Sequence, residues 1–319
     1  GHRHCLTALP GTGRRSALRF LPATAMPNSV DALLSILDLE PLGDNRFLGI
    51  SPQDGWRRVF GGQVIAQALV AAARTVEGRT PHSLHAYFIL PGDPTQPIVY
   101  AVELTRDGRS FTTRRVIASQ NDRPIFSMSL SFQVAEDGFE HQLPMPDVPR
   151  PDALPTEAEI KAEILAGASE TIRRYWQRER PIEIKPIDLR HYTSSEPLEP
   201  VQRLWFRARH RLPDNPAIHR CVLAYASDMT ILDTSLFAHG SSVFERHVQA
   251  ASLDHALWLH RPFRVDEWLL YSEDSPSASG ARGFARGSIF SLDGALVASI
   301  RSGRSNWSDS RRWRRPALP

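Results

Sequence analysis

Four histidines supply the most reactive side chains at close spacing in this sequence. They form two pairs, His82 with His85 and His255 with His260. Zinc and similar metals need further acidic or thiol ligands at set spacing, and none recurs around either pair. These histidines are therefore interpreted as hydrogen-bonding groups of a core or an interface. Metal ligation is disfavoured, although one of them close to a pocket could contact a substrate.

Asp228 and Ser252 are the other candidates for chemistry. Each has an ordinary structural interpretation, since an Asp can cap a helix by accepting hydrogen bonds from its backbone amides and a Ser can be a plain strand hydroxyl. Alternatively, Asp228 can accept a hydrogen bond from a water molecule and Ser252 can orient that water further. The residues alone leave both interpretations open.

This sequence lacks the motifs that are characteristic of several enzyme classes. It contains no GxSxG, which disfavours a serine-nucleophile α/β-hydrolase. Neither GxGxxG nor GxxxxGK[ST] occurs, so Gly61 and Gly62 are interpreted as relief of packing at a helix entry and not as a phosphate loop. Cys5 and Cys221 form no CxxC pair, so no disulfide framework or structural zinc site is expected and a reducing cytoplasm fits best.

The net charge of +3 is concentrated at the two ends of the chain. Residues 1–25 contain four arginines and no acidic residue, and residues 300–319 contain six arginines and one aspartate, which leaves about −6 for residues 26–299. This mildly acidic body argues against nucleic-acid binding, and the lack of a run of about 18 apolar residues argues against a membrane span. We expect residues 1–25 to be a disordered or non-native extension, with a transit peptide as the alternative. Residues 301–319 are expected to form an atypical, solvated Arg-rich tail.

A buried helix followed by strands organises the first half. Asn28 or Ser29 can cap a helix through residues 31–42. The small residues of Gly61–Val76 predict a helix that is buried on almost every side, most simply wrapped by a sheet. The period then changes to two, which predicts strands at 82–93, 97–108, 110–122 and 124–134. This order predicts an α+β unit at 26–140 and not alternating βαβ units.

The same pattern recurs after residues 141–199, which are expected to form a linker with a helix. Residues 200–300 are predicted to form a second unit, with residues 221–240 as a strand running into an apolar helix. Residues 83–88 parallel 252–258, and the hairpin at 114–129 parallels that at 285–299, at an offset of about 170 residues. The pattern indicates an internal duplication.

Long strings in both halves closely resemble the type II acyl-CoA thioesterases, the family of bacterial thioesterase II and its peroxisomal relatives. These strings are FGGQVIAQALVAA, HSLHAYFILPGD, RDGRSFTTRRV, SLDHALWLHRPF and ARGFARG, and the resemblance covers residues 29–300. It implies a double hotdog fold of the α+β class, with two fused hotdog domains that each have a central helix wrapped by an antiparallel sheet. It also implies hydrolysis of fatty acyl-CoA thioesters without a covalent intermediate, cofactor or metal ion, by a homodimer or higher homo-oligomer.

The family holds the attacking water with an Asp, a Thr or Ser, and a Gln. The resemblance places the Asp at Asp228 and the hydroxyl at Ser252. The Gln belongs to the motif Val-Ala-Ser-x-x-Gln-Glu-Gly, whereas residues 297–304 of this chain read VASIRSGR, so Ser302 occupies the place of the Gln. We therefore expect weak activity or none, and the alternative function is a catalytically impaired acyl-CoA-binding hotdog protein. Four arginines could hold CoA phosphates or simply form a solvated strand face: Arg106, Arg109, Arg114 and Arg115.

A shift of reading frame near Ile300 explains the departure from the family motif. One permitted codon set for residues 301–307 is CGC TCA GGA AGG TCT AAT TGG, which reads Ala-Gln-Glu-Gly-Leu-Ile when it is shifted by one base. We hypothesise that residues 301–319 are out of frame. The natural codons decide this, because the hypothesis fails if no other frame yields Gln-Glu-Gly.

Overall fold

The computed structural model describes residues 29–53, 57–166, 168, 170–245 and 248–308. The expected extension at 1–25 and the final part of the expected tail, residues 309–319, lie outside the described residues. Among the helices described, none combines the length and the apolar character needed to cross a membrane.

The first half of the chain forms two helices and six strands. The helices are α1 (Ser29–Leu37) and α2 (Gly61–Ala73). The strands are β1 (Glu40–Gly43), β2 (Arg46–Gly49), β3 (Thr80–Phe88), β4 (Ile98–Asp107), β5 (Phe111–Gln120) and β6 (Arg123–Gln133).

The rest of the described chain contains five α-helices, a 3₁₀ helix at Pro151–Ala153, and six strands. The helices are α3 (Glu157–Ala166), α4 (Glu170–Gln177), α5 (Arg190–Thr193), α6 (Pro216–Ala226) and α7 (Thr234–Phe237). The strands are β7 (Ile182–Pro186), β8 (Val201–Ala208), β9 (Val248–Leu259), β10 (Leu269–Ser279), β11 (Arg282–Ser291) and β12 (Leu296–Ser308).

All twelve strands belong to one antiparallel sheet, in the order β1-β2-β4-β5-β6-β3-β9-β12-β11-β10-β8-β7. Read from the opposite edge, the second half repeats the order of the first half. The halves join through the corresponding strands β3 and β9, where Ser83 lies opposite Trp258 and Tyr87 opposite Asp254. This arrangement confirms the α+β class and the two fused units, and it agrees with the internal duplication indicated by the sequence.

Helix α2 is the buried helix predicted from its small residues. Residues 62–72 are all buried. Where α2 meets α6, a Cβ added to Gly62 would lie 2.3 Å from the carbonyl oxygen of Tyr225, so the close approach of the two helices requires glycine there. The interpretation of the paired glycines as relief of packing agrees with this contact.

The segment after residue 215 differs from its prediction. Residues 221–226 were expected in a strand, but they lie in α6, which Asn215 caps by accepting a hydrogen bond from the Ala217 amide at 3.0 Å. Pro216 at the first helical position also favours helix initiation. A short apolar run cannot by itself distinguish a strand from a buried helix. Consequently Asp228 follows the end of α6 and does not itself open a helix.

The last strand also differs from its prediction, because β12 extends to Ser308. Residues 301–308 therefore lie in the sheet, where the sequence suggested a solvated tail beginning at 301. Ser302 and Arg304 alternate with more exposed neighbours and are 0% and 1% exposed, which is the period-two burial of a strand. In addition, the segment expected to be a linker contributes β7 as the last strand at one edge of the sheet, paired with β8.

Candidate active site

Asp228 lies on the turn that connects α6 to α7 and is only 5% exposed. Two inward-facing residues of β10 form hydrogen bonds to this turn, one on each side of Asp228. The hydroxyl of Tyr271 donates to the carbonyl oxygen of Ser227 at 2.9 Å, and Thr230 Oγ1 donates to Glu273 Oε1 at 2.5 Å. The backbone around Asp228 is therefore fixed by buried hydrogen bonds.

The N-terminus of α2 approaches the carboxyl group of Asp228 from the other half of the molecule. Asp228 accepts a hydrogen bond from the backbone N–H of Gly62. A Cβ at Gly61 would lie 2.5 Å from Asp228 Oδ2, so only glycine leaves room for the carboxyl group. A helix N-terminus favours a negative charge because its first amides point toward it. The two fused halves thus form this site together.

Strand β9 supplies Ser252, which forms a side-chain hydrogen bond to Asp228. Along β9 and β12, Asp254 pairs with Gly303 and Ser252 pairs with Arg304, which leaves Leu253 without an opposite residue. Such a bulge changes the face to which the preceding side chain points. Ser252 consequently shares the inner face with His255, although the two residues are three positions apart.

His255 is the third polar group at Asp228 and is 1% exposed. Its Nε2 lies 2.9 Å from Ser227 Oγ, and Ser227 Oγ donates its own proton to the carbonyl oxygen of Ala224. We therefore assign the ring proton to Nε2, because Ser227 can only accept there. Burial lowers the pKa of His255 to about 3, so the ring is neutral. The expectation of a core hydrogen-bonding histidine agrees with this arrangement.

Burial also controls the charge of Asp228. It raises the pKa of Asp228 to about 7, and this rise is opposed by the Gly62 amide, the Ser252 hydroxyl and the positive charge of Arg304. A carboxylate with a pKa near neutrality can both hold a water molecule and take a proton from it. Within the described residues its Oδ1 has no hydrogen-bond partner, whereas the carboxyl group is otherwise held by Gly62 and Ser252.

Ser302 lies opposite His255 on β12 and is fully buried. Its hydroxyl donates to the backbone carbonyl oxygen of Asp254 at 2.8 Å. This proton is therefore engaged with the neighbouring strand. The structure places Ser302 on the strand next to Ser252, where the sequence suggested a solvated tail, and the hydrogen bond found for Ser302 is not with Asp228.

Arg304 is a residue of the site that the sequence did not single out. The residue is 1% exposed, and Nη1 donates to the carbonyl oxygen of Leu232. Nε and Nη2 have no hydrogen-bond partner among the described residues. The charge of Arg304 acts on both Asp228 and Asp233. The alternation of Ser302 and Arg304 after an apolar strand was the available signal, but arginines near a terminus are more often solvated.

Comparison with known proteins shows the family and agrees with the fold. Residues 52–133 match the family model of the acyl-CoA thioesterase N-terminal domain, and residues 173–305 match that of acyl-CoA thioesterase. Acyl-CoA thioesterase 2 of Haemophilus influenzae is 39% identical over 275 residues, which cover 86% of this chain and 96% of that protein. The human acyl-coenzyme A thioesterase 8 is 40% identical, with coverage of 83% and 85%.

The chain belongs to the acyl-CoA thioesterase family. A crystal structure of an acyl-CoA thioesterase II from Mycobacterium marinum has 41% sequence identity and a TM-score of 0.73, and the match covers 87% of this chain and 99% of that one. The double hotdog architecture expected from the resemblance is thereby confirmed, as is the thioesterase class of the enzyme.

In this acyl-CoA thioesterase the polar side chains described for the site all come from the second half. Both halves have a register irregularity at the matching place in β3 and β9, which aligns their residues. The first half has apolar residues at the four corresponding positions: Pro81, Leu84, Leu130 and Phe132. The second half has polar residues there: Ser252, His255, Ser302 and Arg304. The duplication therefore predicts one catalytic centre in each chain of this thioesterase.

The remaining polar candidates have contacts different from those of the residues around Asp228. His85 contacts the ring of Trp258 edge-on at 5.0 Å, and His260 Nε2 lies 2.9 Å from Ser299 Oγ. Of the four arginines considered for CoA phosphates, Arg114 is buried and paired with Asp107 at 2.7 Å, so it belongs to the structural framework. The other three are exposed.

Proposed function

We propose that the chain hydrolyses fatty acyl-CoA thioesters by direct attack of a water molecule that Asp228 and Ser252 orient. The observation that carries the proposal is the buried carboxyl group of Asp228, which is held by Gly62 and Ser252 while Oδ1 remains available. The names of the relatives, acyl-CoA thioesterases, support the substrate class.

In the proposed reaction, water bound at Asp228 Oδ1 attacks the thioester carbonyl carbon. Asp228 takes one proton from the water, because its pKa of about 7 suits a general base. The oxygen of the water forms the new carbon–oxygen bond, and the tetrahedral intermediate then expels the CoA sulfur. The proton leaves with the thiol, and the other product is a fatty acid. No step needs a covalent acyl-enzyme, a cofactor or a metal ion.

The position of Ser302 supports a slow reaction. A Gln at this position could both donate and accept hydrogen bonds near the reacting atoms, whereas the Ser302 hydroxyl donates to Asp254. Removal of one such donor commonly costs on the order of 10²-fold in rate. This observation also favours the second candidate function, a catalytically impaired protein that binds acyl-CoA. A homo-oligomer and a cytoplasmic location stay predictions.

Release of CoA thiol from medium- and long-chain acyl-CoAs tests the proposal. An acid quench of the same reaction, followed by intact-protein mass measurement, tests direct attack by water. We expect thiol release that saturates with substrate, together with an unmodified protein mass. An added acyl mass on the protein would overturn the water mechanism, and binding of acyl-CoA without release would favour the second candidate function.

A further inference from the structure

The guanidinium group of Arg304 presents one unused edge inside the protein. Nη1 is engaged by the carbonyl oxygen of Leu232. Nε and Nη2, which form the adjacent edge, have no hydrogen-bond partner in the part of the chain that the structure describes, and the residue is 1% exposed. An arginine uses two parallel N–H groups to grip both oxygens of a carboxylate. The unused edge therefore has the donor pattern of a carboxylate site.

The guanidinium group of Arg304 forms no hydrogen bond to a carboxylate of the described residues. Asp228 and Asp233 are the acidic groups on which its charge acts. Burial raises the pKa of Asp233 to about 6 and that of Asp228 to about 7, so near neutral pH Asp233 is mostly ionised and Asp228 is about half ionised. Neither of them occupies the Nε/Nη2 edge, and a buried cation that no carboxylate contacts is costly. An anion that entered the site would offset this cost.

Arg304 lies beside the position where the acyl group would react. It is directly opposite Ser252 across β9 and β12, and Ser252 is bonded to Asp228. Hydrolysis at Asp228 would convert an uncharged thioester into a carboxylate next to this guanidinium. The neighbouring Ile231 is fully buried and apolar, and the whole turn packs against the core. These surroundings suit an acid on an alkyl chain better than a heavily hydrated phosphate.

We propose that the Nε/Nη2 edge of Arg304 binds the carboxylate of a fatty acid, so that the chain retains its own reaction product. This inference rests on the proposed function only in that the acyl group is placed at Asp228. Binding of the free acid requires no turnover. The chain would then bind fatty acids more tightly than uncharged molecules of the same alkyl length.

Calorimetric titration with laurate and with dodecanol tests this site. Arg304→Met keeps an unbranched, flexible side chain and removes the charge and the N–H donors of the guanidinium group. Arg301→Met is the matched control, because Arg301 lies on the same strand but is exposed and contacts Trp258. We expect laurate to bind Arg304→Met at least about ten-fold more weakly than wild type, as loss of charge-assisted hydrogen bonds implies. Dodecanol binding should be unchanged in both variants.

Two results would overturn the proposal independently of enzyme activity. The first is an equal affinity for laurate in wild type and Arg304→Met. The second is an equal affinity of the wild-type chain for laurate and dodecanol, which needs no variant to fold. Failure of the proposed hydrolysis would be seen separately, as an absence of CoA thiol release from a chain that still binds laurate through Arg304.

Discussion

Oδ1 of Asp228 and Nδ1 of His255 face each other at 3.8 Å inside the protein, and neither atom has a hydrogen-bond partner among the residues that the structure describes. His255 is neutral and directs its N–H to Ser227, so it offers Asp228 neither a positive charge nor a proton. The basicity of Asp228 is therefore determined by burial, by Gly62 and Ser252, and by the charge of Arg304.

The pH dependence of hydrolysis follows from the raised pKa of Asp228. Only the ionised carboxylate can take a proton from water, so kcat/KM should rise with pH and reach half of its maximum near pH 7. Arg304→Met removes a charge that lowers this pKa, and the midpoint should therefore move to higher pH. Arg301→Met should leave it in place. A profile that is flat from about pH 5 to 9 would contradict the assignment of Asp228 as the base.

Gly61→Ala should lower activity through a steric effect on Asp228. The new Cβ would lie 2.5 Å from Oδ2, which forces the carboxyl group or the start of α2 to move. A displacement of about 1 Å at a reacting group can cost on the order of 10²-fold in kcat. Gly138→Ala is the control, because nothing lies within 4 Å of a Cβ at that position. Wild-type kcat in Gly61→Ala would show that the close approach is unimportant.

Glu273 should act as a positioning residue through Thr230. Burial raises the pKa of the Glu273 carboxyl group well above its ordinary value, so the neutral acid accepts a hydrogen bond from the Thr230 hydroxyl. Glu273→Gln keeps a neutral acceptor and should retain most of the activity. Glu273→Ala frees the turn that carries Asp228 and should reduce kcat about ten-fold or more with little change in KM. Equal loss of kcat in the two variants, measured by thiol release, would contradict this role.

Restoring the family motif should increase activity. Ser302→Gln combined with Arg304→Gly returns the missing amide and removes the buried guanidinium. We expect thiol release to rise on the order of 10²-fold over the unaltered chain. The proposed change of reading frame makes a separate prediction, that the natural codons encode Gln-Glu-Gly in another frame. No gain in activity of the double variant would count against the role given to the missing Gln. Codons that cannot yield this tripeptide would count against the change of frame.

The sequence predicts most of the fold because its strongest signals are local. Gly61–Ala73 is a helix of small residues in any surroundings, and the strands that follow it are bounded by clear turns. Because the same order of elements recurs in the second half, the sequence also predicts the two fused units. Residues 221–226 were mistaken for a strand because a short apolar run fits either structure, and the cap at Asn215 decides between them.

The site was only partly predictable for a different reason. The family resemblance placed Asp228 and Ser252 together, and they are hydrogen-bonded. The inward direction of Ser252 depends on a bulge at Leu253, which only the pairing of β9 with β12 reveals. Likewise, the burial of Arg304 follows from the continuation of β12 beyond residue 300. The bulge has no local pattern in the sequence, and the alternation of Ser302 and Arg304 is too short to indicate a strand by itself.

A comparison of Asp228→Asn with Asp233→Asn tests the central claim most directly. Both residues are acids on the turn between α6 and α7, and both changes preserve size, but only Asp228 is bonded to Gly62 and Ser252 in the proposed site. Single-turnover thiol release, with enzyme in excess over acyl-CoA, should fall by about 10²-fold or more in Asp228→Asn. It should stay within about five-fold of wild type in Asp233→Asn. Equal rates in wild type and Asp228→Asn would contradict the account.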